Sequence, residues 1–173
     1  LAQIGAVRWV PPLERPLEAM ALVNPPGRTP PIDTEVFAFG RMPLAISARC
    51  FTARHYGVNR DECGFRCIAH PDGLPLRTQE GSDFLALNGL QTLSARLMCA
   101  LPERDAMAAA NVRRLRLSPI STNFDAVIRA YDRVFNGGAQ PQDELDALSA
   151  LGLPGALADG YLRRDAGVNW SCA

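Results

Sequence analysis

Lysine is absent from this chain: all eighteen basic residues are arginine, against eighteen Asp and Glu, so the formal net charge is zero. The gap extends to positions with no apparent function and reads as nucleotide bias. The charge balance itself argues against a general nucleic-acid or membrane-surface binder. No apolar run approaches the roughly 20 residues that a membrane-crossing helix needs. The first residues, with PPLERP among them, do not read as a signal peptide. Hydrolase signatures are missing too: there is no G-x-S-x-G, no H-E-x-x-H, and no Ser, His and Asp set in a recognisable context. Internal repeats and low-complexity segments are also lacking. Histidine is scarce, with His55 and His70 alone. Five cysteines at irregular spacing suit a reducing compartment better than a disulfide framework. A cytoplasmic protein is the expectation.

The 173 residues are enough for one ordinary domain, and the composition, 47% hydrophobic and 21% charged, is globular. Ala6 to Val10, AVRWV, is a short β-rich run closed by two prolines, and Leu13, Leu17, Met20 and Ala21 then repeat at helical spacing. Asn24 to Pro31, NPPGRTPP, has to be a loop. Glu35 to Phe39 reads as a second strand ending at Gly40, and Pro43 can open a helix running to about Tyr56. HPDG at His70 to Gly73 is a turn, and Leu74 to Thr78 can form a small hairpin with the approach to Asp83. Phe84 to Leu87 is the third strand, stopped by Asn88 and Gly89. Thr92 to Ala110 is helical in composition, interrupted by Pro102, and RLRL at Arg114 to Leu117 is the fourth strand. Asn123 can cap a helix that presents Val127, Ile128, Tyr131 and Val134 and ends at Gly137. The expectation is an α/β fold of four βα units with right-handed parallel crossovers. Such units make an open sheet or half of a (β/α)8 barrel. Residues 1–138 hold these units, and 139–173 add a short helix and a C-terminal tail to the same domain.

Three cysteines give the sequence its one chemical constellation. Cys50, Cys63 and Cys67 are spaced C-x12-C-x3-C within residues 49–67. Free cysteine is often a small buried hydrophobe, but Cys63 and Cys67 lie in NRDECGFRC, which is polar and has no apolar periodicity. A disulfide would leave one of the three unpaired. Thiolates select zinc, copper(I) or iron–sulfur clusters, and tetrahedral zinc or a cubane wants a fourth ligand. His55 or His70 can complete a Cys3His zinc site. Cys99, in the apolar SARLMCAL, is expected in the core on a helix, and Cys172 in the tail. Arg41, Arg49, Arg54, Arg60 and Arg66 cluster around the thiols in sequence, where guanidinium groups can offset cluster charge or hold an anion.

The wording EVFAFGRMPLAISARCFTARHYGVNRDECGFRC, followed by LALNGLQTLSA and RLRLSPIS, resembles the collagenase-like peptidase family of unknown catalytic type, in particular its members in oxygen-independent ubiquinone biosynthesis. The match runs in order from about Glu35 to Ser121, with a weaker echo at Gly160 to Trp170. The resemblance implies a TIM-like (β/α)8 barrel of which this chain is the C-terminal half. It implies a 4Fe–4S cluster on four cysteines, with Cys50, Cys63 and Cys67 on three of those positions and the fourth upstream. It also implies hydroxylation of a ubiquinone precursor ring as a heterodimer with a UbiU-like paralogue, and a lipid-binding accessory protein that presents the precursor. The peptidase label finds no catalytic set in these residues, so catalytic residues stay unassigned. A structural zinc domain without catalysis and a cysteine-bearing peptidase relative are the alternatives.

In a parallel barrel, functional groups gather at the C-terminal ends of the strands. Those ends present Gly40 and Arg41, Asn88 and Gln91, and Ser118 and Ser121. Arg41, Asn88, Gln91 and Ser118 are therefore the candidate substrate-binding residues.

Overall fold

The computed structural model describes residues 2–171. Its elements are β1 (Arg8–Trp9), α1 (Leu17–Val23), β2 (Asp33–Ile46), α2 (Phe51–His55), β3 (Leu74–Arg77), β4 (Asp83–Asn88), β5 (Gln91–Cys99), α3 (Arg104–Ala109), β6 (Val112–Leu117), α4 (Phe124–Phe135), α5 (Pro141–Ser149) and β7 (Leu157–Ala158). Short 3-10 turns at Arg60–Glu62 and Arg66–Ala69 carry the chain from α2 to β3. Cys172 lies outside the described residues.

The fold is mixed α/β around one open sheet. Its main path runs β1-β2-β5-β4-β3, with β6 also paired to β2 and β7 to β5. β1 and β6 are parallel to β2, whereas β2–β5, β5–β4 and β4–β3 are antiparallel. The expected succession of four βα units is thereby corrected. One βαβ unit, β1–α1–β2, is present, and β6 followed by α4 adds a parallel strand to it. Between them the chain makes an antiparallel excursion that carries the cysteines.

Two expected helices, 43–56 and 92–110, begin as strands and turn helical only at α2 and α3, and the reason is pairing. Pro43 opens no helix: β2 continues through it to Ile46, matched to β5 by Pro43↔Leu93, Ala45↔Thr92 and Ile46↔Gln91, with register shifts on either side of the proline. A bulge is where a strand tolerates a residue without an N–H. Residues 92–99 were a helix by composition, yet they form β5, flanked by β2, β4 and β7. Leu97, Met98 and Cys99 are all buried there, and a continuous apolar run fits a covered strand as well as a buried helix turn. Tertiary pairing overrides propensity at this position.

α4 and α5 form where the sequence indicated, but the Asn123 side chain donates to Leu151 O instead of capping α4, and Ile128 of the expected apolar set is exposed. α4 buries Val127, Ala130, Tyr131 and Val134, a helical stripe, and starts from Asn123 in a left-handed conformation (φ 57°). α5 opens on Pro141 and buries Leu145 and Leu148. These residues and Leu162 join Val36, Phe37, Phe39, Met42 and Leu97–Leu101 in one core. Inside it, the buried Tyr131 hydroxyl donates to Ala38 O (2.7 Å) and accepts from Ala100 N (3.0 Å), two groups that also bond each other (2.8 Å), so the hydroxyl is itself satisfied in the core.

Candidate functional site

β2 passes from the parallel to the antiparallel part of the sheet at Gly40. Its φ of +110° and a Cβ that would stand 2.7 Å from the Ser118 Cβ make this a glycine position. The close approach seats the end of β6 against β2 and leaves a cleft of about 460 Å3 beside it. All four candidate substrate-binding residues line this one cleft: Arg41, Asn88, Gln91 and Ser118. Phe37, Asp72 and Arg116 line it as well.

They are not equivalent there. Arg41 is committed to the fold: Nη1 donates to Ser94 O (3.0 Å) and to Ala95 O, and Nη2 donates to Pro154 O (2.7 Å). Its Nε is buried with no partner among the described residues. Burial lowers its pKa, opposed by the charges of Asp72 and Asp83. A guanidinium spent on three carbonyls is chiefly a tie between β5 and the approach to β7. Asn88 and Gln91 face each other across the β4–β5 hairpin. Among the described residues their amides and the Ser118 hydroxyl have no hydrogen-bond partner, which leaves them available to a ligand.

Sequence reasoning missed two members of this wall. Arg116 lies over the Phe37 ring, 5.4 Å from its centroid, because the two are register partners on β6 and β2. Asp72, read only as part of a turn, accepts the Ser121 N–H (2.9 Å) and the Ser121 hydroxyl. It thus binds the exit of the cysteine segment to the loop after β6. The alternating RLRL pattern was a signal for the first. Nothing local signals the second, whose partner lies 49 positions away.

The cysteine segment starts against the tip of the β4–β5 hairpin. Ser47 N donates to Leu90 O and Phe51 N to Gly89 O, both at 2.8 Å, and the buried Thr52 hydroxyl accepts Gly89 N (3.1 Å). Cys50 is therefore the N-cap of α2, not a residue within a helix from Pro43, and its Sγ accepts Ala53 N at 3.4 Å. Cys63 ends the 3-10 turn Arg60–Glu62, and Cys67 lies in the turn Arg66–Ala69. Gly57, Gly64 and Phe65 hold left-handed φ values between these points. Arg49, Arg54 and Arg60 surround Cys50 on a second, open cavity of about 490 Å3. Arg66 covers the Tyr56 ring, 5.2 Å from its centroid.

As donors, Cys50, Cys63 and Cys67 suit a soft metal or an iron–sulfur cluster: all are free thiols and all are partly exposed. The segment sets them on neighbouring turns, and α2 packs against the turn that carries Cys67. It does not draw them to a point, since among the described residues no three His, Cys, Asp or Glu side chains are gathered as a metal-binding group. His70 is engaged through Nε2 with Tyr56, and the His55 ring stands edge-on to Tyr56. Cys99 is buried as expected, though on β5.

No helix among the described residues is long and apolar enough to cross a membrane. No solved structure matches the chain. The model of peptidase family U32 matches residues 1–170, and the chain belongs to that family.

Proposed function

We propose that this chain is the thiol-bearing part of an iron–sulfur protein of the UbiV type, acting in the cytoplasm in oxygen-independent ubiquinone biosynthesis. The observation that carries the reading is the set of three free, partly exposed thiols, Cys50, Cys63 and Cys67, on one segment tied at both ends to the walls of a polar cleft. Together with membership of family U32, it favours a thiolate-bound 4Fe–4S cluster over packing cysteines. These three side chains would hold three irons, and a fourth cysteine comes from polypeptide outside the described residues. The cluster, when bound, supplies one-electron transfer. Asn88, Gln91, Ser118 and Arg116 bind and orient the ubiquinone precursor, while Arg41 and Asp72 keep the cleft walls in place. The partner is a UbiU-like paralogue in a heterodimer, and a lipid-binding accessory protein delivers the precursor.

A half-barrel remains part of this proposal on a narrower footing than the sequence offered. β1, β2 and β6 are parallel neighbours, and among the described residues β1 and β6 each pair along one side only. Upstream βα units would continue the sheet from those edges, with the antiparallel excursion as an insertion.

The test is iron and sulfide analysis of the full-length protein purified without oxygen, with ubiquinone measured in anaerobic cells. Iron and sulfide near four per chain, lost in Cys50→Ser, Cys63→Ser and Cys67→Ser alike, are expected for a cubane. Those variants should also lose ubiquinone made without oxygen and keep ubiquinone made in air. One equivalent of zinc with no iron would remove the cluster and leave the structural zinc reading.

A further inference from the structure

We propose that Tyr56 and His70 form a clasp that positions Cys50 and Cys67 for metal or cluster binding, an inference that rests on the thiol-ligand reading above. Tyr56 Oη and His70 Nε2 lie 2.5 Å apart, well within hydrogen-bond distance. Each residue ends a ligand-bearing element. Tyr56 follows directly on α2, the helix capped at its other end by Cys50. His70 closes the turn Arg66–Ala69, and its N–H donates to Cys67 O at 2.9 Å. The pair thus joins the Cys50 element to the Cys67 element.

The segment has little else to hold its shape. Neither 3-10 turn contains a buried residue, and both Phe65 and Ile68 are more than 70% exposed. Residues 57–69 therefore form a loop without a core, closed at its base by this contact, with Cys63 and Cys67 inside it. Closing the base removes part of the entropy that gathering separate thiols around a metal would otherwise cost. The Tyr56 ring is set by its neighbours, with the Arg66 guanidinium on its face and the His55 ring edge-on at 5.1 Å. Tyr56 holds His70 through Nε2, and neither clasp residue is assigned a bond to the metal. Both are positioning residues, of the kind that orient a metal's donors from outside the ligand set.

The experiment uses the reduced, metal-free, full-length protein titrated anaerobically with Co2+ alone, read by the thiolate-to-cobalt charge-transfer absorption. Tyr56→Phe and His70→Leu should each weaken Co2+ binding roughly 3- to 10-fold, the worth of one hydrogen bond, at unchanged Tm. His70→Gln, whose amide can still meet the Tyr56 hydroxyl, should recover most of the loss. A band indifferent to Tyr56→Phe and His70→Leu but abolished by Cys63→Ser overturns the clasp and leaves the thiol site standing. If His70→Gln is as weak as His70→Leu while Tyr56→Phe is silent, His70 is itself a ligand and the clasp is wrong. Weakening that follows a fall in Tm without rescue by glutamine means general damage and also overturns it. A wild-type band insensitive to Cys63→Ser removes both this inference and the reading beneath it.

Discussion

The middle of β2 and the cysteine segment are close in the chain and are held by opposite means. From Val36 to Met42 nearly every side chain is buried, and the backbone is paired to β6 on one side and β5 on the other. From Cys50 to His70 the buried residues are Thr52 and Ala53, and the shape rests on a few polar contacts: Thr52 with Gly89, Tyr56 with His70, and Asp72 with Ser121 just beyond. Apolar burial is non-directional and tolerates no missing volume, whereas a polar tie is directional and local. The core should therefore decide whether the protein is folded, and the ties should decide where the thiols stand. Regions with few buried contacts also open at low free-energy cost, which would suit the proposed gathering of thiols around a metal.

The sharpest way to break this division is to damage the core and look for an effect on the thiols. Phe39 is fully buried and meets the Tyr131 ring edge-on at 6.1 Å, so Phe39→Ala should cost about 3–5 kcal/mol in urea unfolding. Thiol reactivity of Cys63 and Cys67 in the fraction that stays folded should not change. Equal loss of both properties would make the segment part of the core.

Tyr131→Phe comes next, because it removes two hydrogen bonds of a buried hydroxyl, although Ala100 N–H and Ala38 O remain paired with each other; at about 0.5–1.5 kcal/mol per bond, about 1–3 kcal/mol is expected. Burial pushes the Tyr131 pKa well up, with Cys99 adding to the shift. A raised pKa means that the neutral form is preferred in the fold. Its contribution is thus complete below the unfolded value of about 10 and is lost as pH rises beyond it. The wild type should lose stability in alkali, and Tyr131→Phe should lack that part of the loss.

The same division explains what the sequence disclosed. α4 and α5 were readable because each shows an apolar stripe against a polar face, and β6 because RLRL alternates. The strands 43–46 and 92–99 were not, because Pro43 and the run Leu97–Cys99 are settled by partners far away in the chain. At the candidate site, residue type singled out the thiols. Asn88 and Ser118 do stand where β4 and β6 end, whereas Gln91 begins β5 and Arg41 lies within β2, so strand ends account for only two of the four. Contacts such as Tyr56 with His70 and Asp72 with Ser121 join residues 14 and 49 positions apart and leave no periodic trace. Polar ties of this kind are invisible to patterning, which reads only burial.

Cysteine substitution compares the two regions with one chemistry. Cys99→Ser puts a hydroxyl into a fully buried strand position and should destabilise by about 1–2 kcal/mol. Cys63→Ser, on a partly exposed turn, should stay within about 0.5 kcal/mol in the metal-free protein. On the proposed thiolate site, metal should reverse the order, since only Cys63→Ser would remove a ligand. A metal-free Cys63→Ser as damaging as Cys99→Ser would show that the segment packs like the core.

The smallest effect lies outside both regions and serves as their control. On α4, Arg133 makes a two-pronged ion pair with Glu144 of α5, both N–H groups meeting carboxylate oxygens. The hydrogen bond to Arg133 holds the Glu144 carboxyl below its ordinary range, against a smaller opposing effect of desolvation. A lowered pKa means that the charged form is preferred in the fold, so the contribution is present above the unfolded value of about 4.3 and disappears as pH falls below it. Glu144→Gln should therefore lower the urea midpoint slightly at pH 7 and not at pH 3. Because Arg133 is half exposed, about 1 M salt should erase most of the difference at pH 7 as well. Thiol reactivity should be the same in wild type and variant throughout, for the pair touches neither the β2 core nor residues 50–70. A larger gap at pH 3 than at pH 7 would mean that Glu144 is held by something other than its charge.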